Sequence, residues 1–227
     1  MNRTPLLPDA TAPLKWTTPP TRATAATWTA WPIHSTAVRS CNCLGQVAEA
    51  RATIATVLVA SADLGERRSR AHFLDSAAMI ALVEGDLDGA WRFLAEAAEA
   101  AAGMAEPLLL AGIALHRALA ALSAGDIPAA QRDADLAAEQ IARGGPGVSA
   151  GTLDTLAVTA CVALAGGDVA GAAELAEQAA GTGFVLWERA AQRIAATASA
   201  ARAAASPPDP CRYPALIYVD QPIPAND

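Results

Sequence analysis

The chain has 227 residues, 53% of them hydrophobic and 17% charged, and Ala alone fills about a quarter of all positions. Such a length holds one domain or one elongated array, with enough chain to bury a core. Sixteen Lys+Arg against 23 Asp+Glu give a net charge of −7, which argues against direct nucleic-acid binding and against docking on anionic membranes.

In chain order, residues 1–40 carry six of the fifteen prolines and are rich in Thr. Proline lacks an amide donor and clashes with a preceding helical turn, so a disordered or extended N-terminal arm is expected there. Pro5, Pro8, Pro13 and Asp9 interrupt any apolar stretch that would read as a secretory signal. No uncharged run reaches the ~18 apolar residues a membrane span requires, so a cytoplasmic location is expected. Cys41-Asn-Cys43 lacks the two-residue gap of a zinc knuckle, and Cys161 and Cys211 form no second pair with it. No metal and no cofactor are expected.

Residues 41–206 are rich in Ala, Leu, Glu and Arg, the composition of helices. Within them a unit repeats. Gly45, Gly85, Gly125 and Gly167 lie 40, 40 and 42 residues apart, the last three followed by Asp86, Asp126 and Asp168. Five residues after each Gly comes Ala50, Ala90, Ala130 or Ala172. Apolar positions at 2, 5, 9 and 12 after the Gly step by three and four, which traces one face of a helix. The stretches before the Gly repeat as well: Leu74/Ala78/Ala81/Leu82, Ala114/Ala118/Ala121/Leu122 and Leu156/Ala160/Ala163/Leu164. Each unit therefore predicts a first helix, a tight turn with Gly in the left-handed region, and a second helix capped by the Asp. The conserved size of the Ala positions predicts close helix packing. Phe184 to Ala204 predicts a last, capping helix with Trp187, Ala191 and Ile194 on one side. Residues 207–227 hold six more prolines and predict an extended tail, in which Tyr213–Val219 reads as a short strand or a docking peptide.

Upstream Ala and Leu, then Gly-Asp-aliphatic-x-x-Ala, then a second apolar stripe resemble the tetratricopeptide repeat, over about residues 45–205. The long, Ala-rich units are similar to the helical sensor region of maltose-activator-like regulators of the LuxR type. The family's large aromatic near the start of the first helix is replaced here by Leu74, Ala114 and Leu156, and no GxxxxGK[ST] phosphate loop is present. The resemblance implies an all-α, right-handed solenoid of antiparallel helix hairpins, about three full ones plus terminal helices. It also implies a concave groove lined by first helices. Carried onto this chain, the recognition positions are His72, Asp75 and Met79, then Leu115, Leu119 and Ser123, then Asp154, Ala157 and Cys161.

Acid–base chemistry has one local candidate, since His72 and Asp75 sit three apart and could share a helix face. No enzymatic activity is expected. Arg117 falls where the repeat is otherwise apolar and is expected to snorkel or to pair with an acid of the next hairpin. Glu66-Arg67-Arg68-Ser69-Arg70 reads as a solvated helix start, and Trp91 as packing. The expected function is a scaffold that binds a protein or peptide in its groove, for which the chain's own Tyr213–Val219 is an internal occupant. The alternative is a small-effector sensor derived from a LuxR-type regulator that lacks its ATPase and DNA-binding parts.

Overall fold

A computed structural model describes residues 46–63, 65–144, 150–180, 185–204, 209 and 212–218, with the backbone alone at 150, 151 and 185–187. Gly45, the arm at 1–40, Cys41, Cys43, Cys211 and the Trp187 side chain lie outside them. The described residues are helical, with no strand among them. The helices are α1 (Val47–Asp63), α2 (Arg67–Glu84), α3 (Leu87–Ala101), α4 (Pro107–Ser123), α5 (Ile127–Arg143), α6 (Ala150–Ala165), α7 (Val169–Ala179), α8 (Val185–Ala204) and α9 (Tyr213–Tyr218).

The repeated Gly-Asp dipeptides build three matching turns. Gly85, Gly125 and Gly167 have φ of +76°, +76° and +87°, a region that costs a residue with a Cβ about 1–2 kcal/mol. Each turn carries two hydrogen bonds back into the finished helix. Gly85 N donates to Leu82 O and Asp86 N to Ala81 O; Gly125 and Asp126 do the same to Leu122 and Ala121, and Gly167 and Asp168 to Leu164 and Ala163. The same Asp then opens the next helix. Asp86 Oδ1 accepts from Gly89 N at 2.9 Å, Asp126 Oδ1 from Ala129 N at 3.0 Å, and Asp168 Oδ1 from Gly171 N at 2.9 Å. One residue thus completes the stop of one helix and caps the start of the next.

Packing runs in sequence order from α1 to α8, each helix against the next. A second set of contacts joins α2 to α4, α4 to α6 and α6 to α8, and α3, α5 and α7 share no comparable contact. The even-numbered helices therefore form an inner row and the odd ones an outer row. Burial follows this division: α4 buries eleven of its seventeen residues and α5 only five of seventeen. Ala50, Ala90, Ala130 and Ala172 are all 0% exposed, as the repeat predicts for sites of close helix approach. Ala191 and Ile194 of α8 are buried in the same manner.

The tail departs from expectation. Its described residues include a short helix, α9, in place of an extended segment. Pro214 is compatible with this because it stands in the first turn, where a missing amide hydrogen breaks no intrahelical bond. Four of the six α9 side chains, Tyr213, Leu216, Ile217 and Tyr218, are 1–3% exposed. They join the continuous apolar core, with α9 packed on α2, α4, α6 and α8.

Candidate functional site

The inner row brings together two polar residues that interrupt apolar helices. Asp75 of α2 and His116 of α4 are 8% and 2% exposed, and His116 Nδ1 stands 2.7 Å from Asp75 Oδ1. A Cβ on Gly112, one turn before His116, would lie 3.1 Å from Asp75 Oδ2. A small residue at 112 is what lets the carboxylate sit so near α4. An ionised carboxylate only accepts, so the Nδ1 hydrogen is donated to Asp75. The other ring nitrogen, Nε2, lies 3.1 Å from the Tyr218 hydroxyl of α9, which is its hydrogen-bond partner. The two rings are tilted by 51° with centroids 5.7 Å apart.

A second polar contact holds the same, C-terminal end of α9. Arg193 of α8 donates from Nε to Leu216 O at 2.9 Å and from Nη2 to Ile217 O at 3.4 Å. Carbonyls in the last turn of a helix lack internal partners and carry partial negative charge, so a guanidinium suits them. Beside these fixed points, the Leu216 and Ile217 side chains supply apolar contact. At the start of α9, the Tyr213 hydroxyl is buried without a hydrogen-bond partner. Burial pushes the Tyr213 phenol well above its usual range, with Cys161 adding to the effect, and burial likewise pushes the Cys161 thiol up. A thiol held protonated and 0% exposed is a packing residue rather than a nucleophile.

The residues carried over by resemblance are distributed as follows. Met79, Leu115, Leu119, Ala157 and Cys161 are 0–6% exposed and belong to the core that α9 joins. Asp154 is 5% exposed on α6. Ser123 Oγ bonds back to Leu119 O at 2.9 Å. His72 and Asp75 act on each other through charge, and each also meets a group on another segment. Asp75 Oδ1 is engaged by His116, and His72 Nε2 lies 3.7 Å from Glu106 Oε2. Burial lowers the His72 pKa, and the charges of Asp75 and Glu106 offset part of that.

The basic run is held within the chain. Glu66 caps α2, accepting from Arg68 N at 3.3 Å and Ser69 N at 2.6 Å. Arg68 pairs with Glu106, Arg70 with Glu96 at 3.1 Å, and Arg67 Nη2 donates to Ala102 O at 3.1 Å. Arg117 meets Asp133 at 3.3 Å, on the helix that directly follows its own. Burial raises the Asp133 pKa, opposed by Arg117 and Arg132. Near this pair, α3, α4 and α5 border a half-open apolar cavity of about 240 Å³, lined by Ala98, Ala101, Met104 and Ile113 with Arg117 and Gln140. Trp91 is 37% exposed, more than a packing role predicts.

Carboxylate, imidazole and phenol in series can pass a proton along a chain. With α9 seated, however, Asp75, His116 and Tyr218 are only 8%, 2% and 1% exposed. What the arrangement does is fix α9. Nothing in the sequence marks Tyr218 or Arg193 as members of this arrangement. A signal for His116 was present: it and Asp75 are polar breaks on successive first helices. Among the described residues, no three His, Cys, Asp or Glu side chains are grouped to hold a metal ion, and no helix is long and apolar enough to cross a membrane. No protein-family profile, curated protein or solved structure matches this chain.

Proposed function

We propose that this chain is a non-catalytic helical-repeat scaffold, a right-handed solenoid of antiparallel hairpins whose concave face receives a short helix of a protein or peptide partner. In this reading α2–α3, α4–α5 and α6–α7 are the hairpins, and α2, α4 and α6 line the groove. One observation carries it. The six-residue α9 belongs to no repeat, yet it lies against four helices and buries four side chains to 1–3% exposure. An inner row that accommodates such a segment has the shape and polarity of a helix-in-groove site. The tail is then the resident ligand, and a partner segment competes with it.

The test uses the full chain with Leu216→Asp, which places a carboxylate at a 1% exposed site and ejects the tail. A labelled peptide of residues 209–220 should bind this variant at least about ten-fold more tightly than it binds the wild-type chain, whose tethered tail competes at high effective concentration. A variant that keeps its helical circular dichroism and binds no peptide would refute the groove.

A second reading, a small-effector sensor related to LuxR-type regulators, is favoured by the cavity beside Arg117 and Gln140. A fragment-sized ligand that raises the melting temperature of wild type but not of Gln140→Leu would support it.

A further inference from the structure

We infer that the groove selects a helix whose last turn presents a tyrosine, and that the tail holds the site closed until such a helix, borne by a separate protein, displaces it. The inference rests on the groove reading above and adds the identity of what is recognised. Apolar contact from Leu216 and Ile217 is indifferent to chemistry beyond size and shape. Two polar contacts are not. His116 Nε2, 3.1 Å from the Tyr218 oxygen, is held in place because Asp75 fixes the orientation of the ring from the other side. A phenylalanine in place of the tyrosine would fill the same volume and leave a buried ring nitrogen without its hydrogen-bond partner. Sites built around a ligand hydroxyl reject the analogue lacking it for this reason. Arg193, donating to Leu216 O and Ile217 O, reads main-chain carbonyls that are free only where a helix stops. Together they specify a helix terminus with a phenol beside it, and the apolar stretch before it sets the register.

The same two contacts explain how the site is closed. An exposed groove would carry a half-satisfied carboxylate–imidazole pair among apolar side chains. The tail satisfies it with Tyr218, so any partner has to offer an equivalent hydroxyl to compete on equal terms.

The experiment compares two synthetic peptides of residues 209–220, one native and one with Phe at the position of Tyr218, on the full-length Leu216→Asp chain. The native peptide should bind about ten-fold or more tightly than the Phe peptide. In a chain that also carries Asp75→Leu and His116→Leu the preference should vanish, since the imidazole is gone. Arg193→Met should weaken both peptides by the same factor. Should Leu216→Asp unfold, the wild-type chain with a dye at its C-terminus gives a second readout: the native peptide frees the tail and lowers dye anisotropy at a lower concentration than the Phe peptide. Equal binding of the two peptides, or a preference that survives loss of His116, overturns the inference. Binding of neither peptide overturns the groove itself. A wild-type dimer that exchanges tails and is dissolved by the native peptide would make the partner a second copy, and overturns the assignment to a separate protein.

Discussion

The two tyrosines of α9 should respond in opposite directions to loss of a single oxygen. Tyr213 and Tyr218 are both 1% exposed, so Tyr→Phe changes almost no packing at either. At 218 the hydroxyl satisfies His116 Nε2 at 3.1 Å, and His116 is 2% exposed with its other nitrogen committed to Asp75. Water has no access to the orphaned nitrogen while α9 stays seated, so Tyr218→Phe should cost about 2 kcal/mol, within the 1–3 kcal/mol range for a stranded buried group. At 213 the hydroxyl has no partner, and removing it relieves a desolvation cost, for a gain of up to about 1 kcal/mol. The penalty at 218 is felt first by α9, which can detach before the array unfolds. Native-state hydrogen exchange at 213–218 is therefore the assay. Tyr218→Phe should reduce protection there by about thirty-fold, which is 2 kcal/mol at 1.4 kcal/mol per decade, and Tyr213→Phe should leave it unchanged or raise it. Equal losses for the two variants would show that α9 is held by apolar contact alone and refute the role given to His116.

Further predictions concern the array. Ala130→Leu, at a 0% exposed joint between helices, should destabilise by about 1–3 kcal/mol through overpacking, read as a lower urea midpoint. Gly125→Ala meets no atom within 4 Å but keeps φ at +76°, so its cost should be conformational only, about 1–2 kcal/mol, with circular dichroism unchanged. Burial lowers the His72 pKa in the folded chain, so the unfolded chain binds that proton more readily. Stability should fall as pH drops below the ordinary histidine value of about 6.5 towards the folded pKa, and His72→Gln should remove that part of a urea-midpoint profile. Cys161, buried with its thiol pushed up, should resist alkylation in the wild-type chain and become labelled in Leu216→Asp, as peptide mapping by mass spectrometry would report.

What the sequence made legible was local. A Gly-Asp dipeptide encodes its turn through hydrogen bonds spanning three to five residues, and Ala90, Ala130 and Ala172 mark one helix face by their spacing alone. These features need no knowledge of distant chain. The site was less legible because its members are distant: 41 residues separate Asp75 from His116 and 102 separate His116 from Tyr218. Nothing in the sequence around Tyr218 says that it meets a histidine. The spacing of His72 and Asp75 pointed to a local pair, and Asp75 turned to α4 because Gly112 makes room there. α9 was read as extended because six residues containing Pro214 have little helix propensity of their own, and packing on four helices supplies what propensity does not. Arg68 and Arg70 were legible as exposed charges, but their partners Glu106 and Glu96 lie on other segments.

A shared aspartate between consecutive helices also governs how the array deforms. Asp86, Asp126 and Asp168 leave no spare residue in which the two helices of a unit could slide or splay without losing hydrogen bonds on both sides of the turn. The connector from α3 to α4, by contrast, runs over five residues, 102–106. Bending is thereby directed to the joints between units and kept out of the units themselves, in the manner of rigid links on pins. Admission of a bulkier helix would spread the inner row one joint at a time, with the five-residue connector between α3 and α4 taking up its share of the strain.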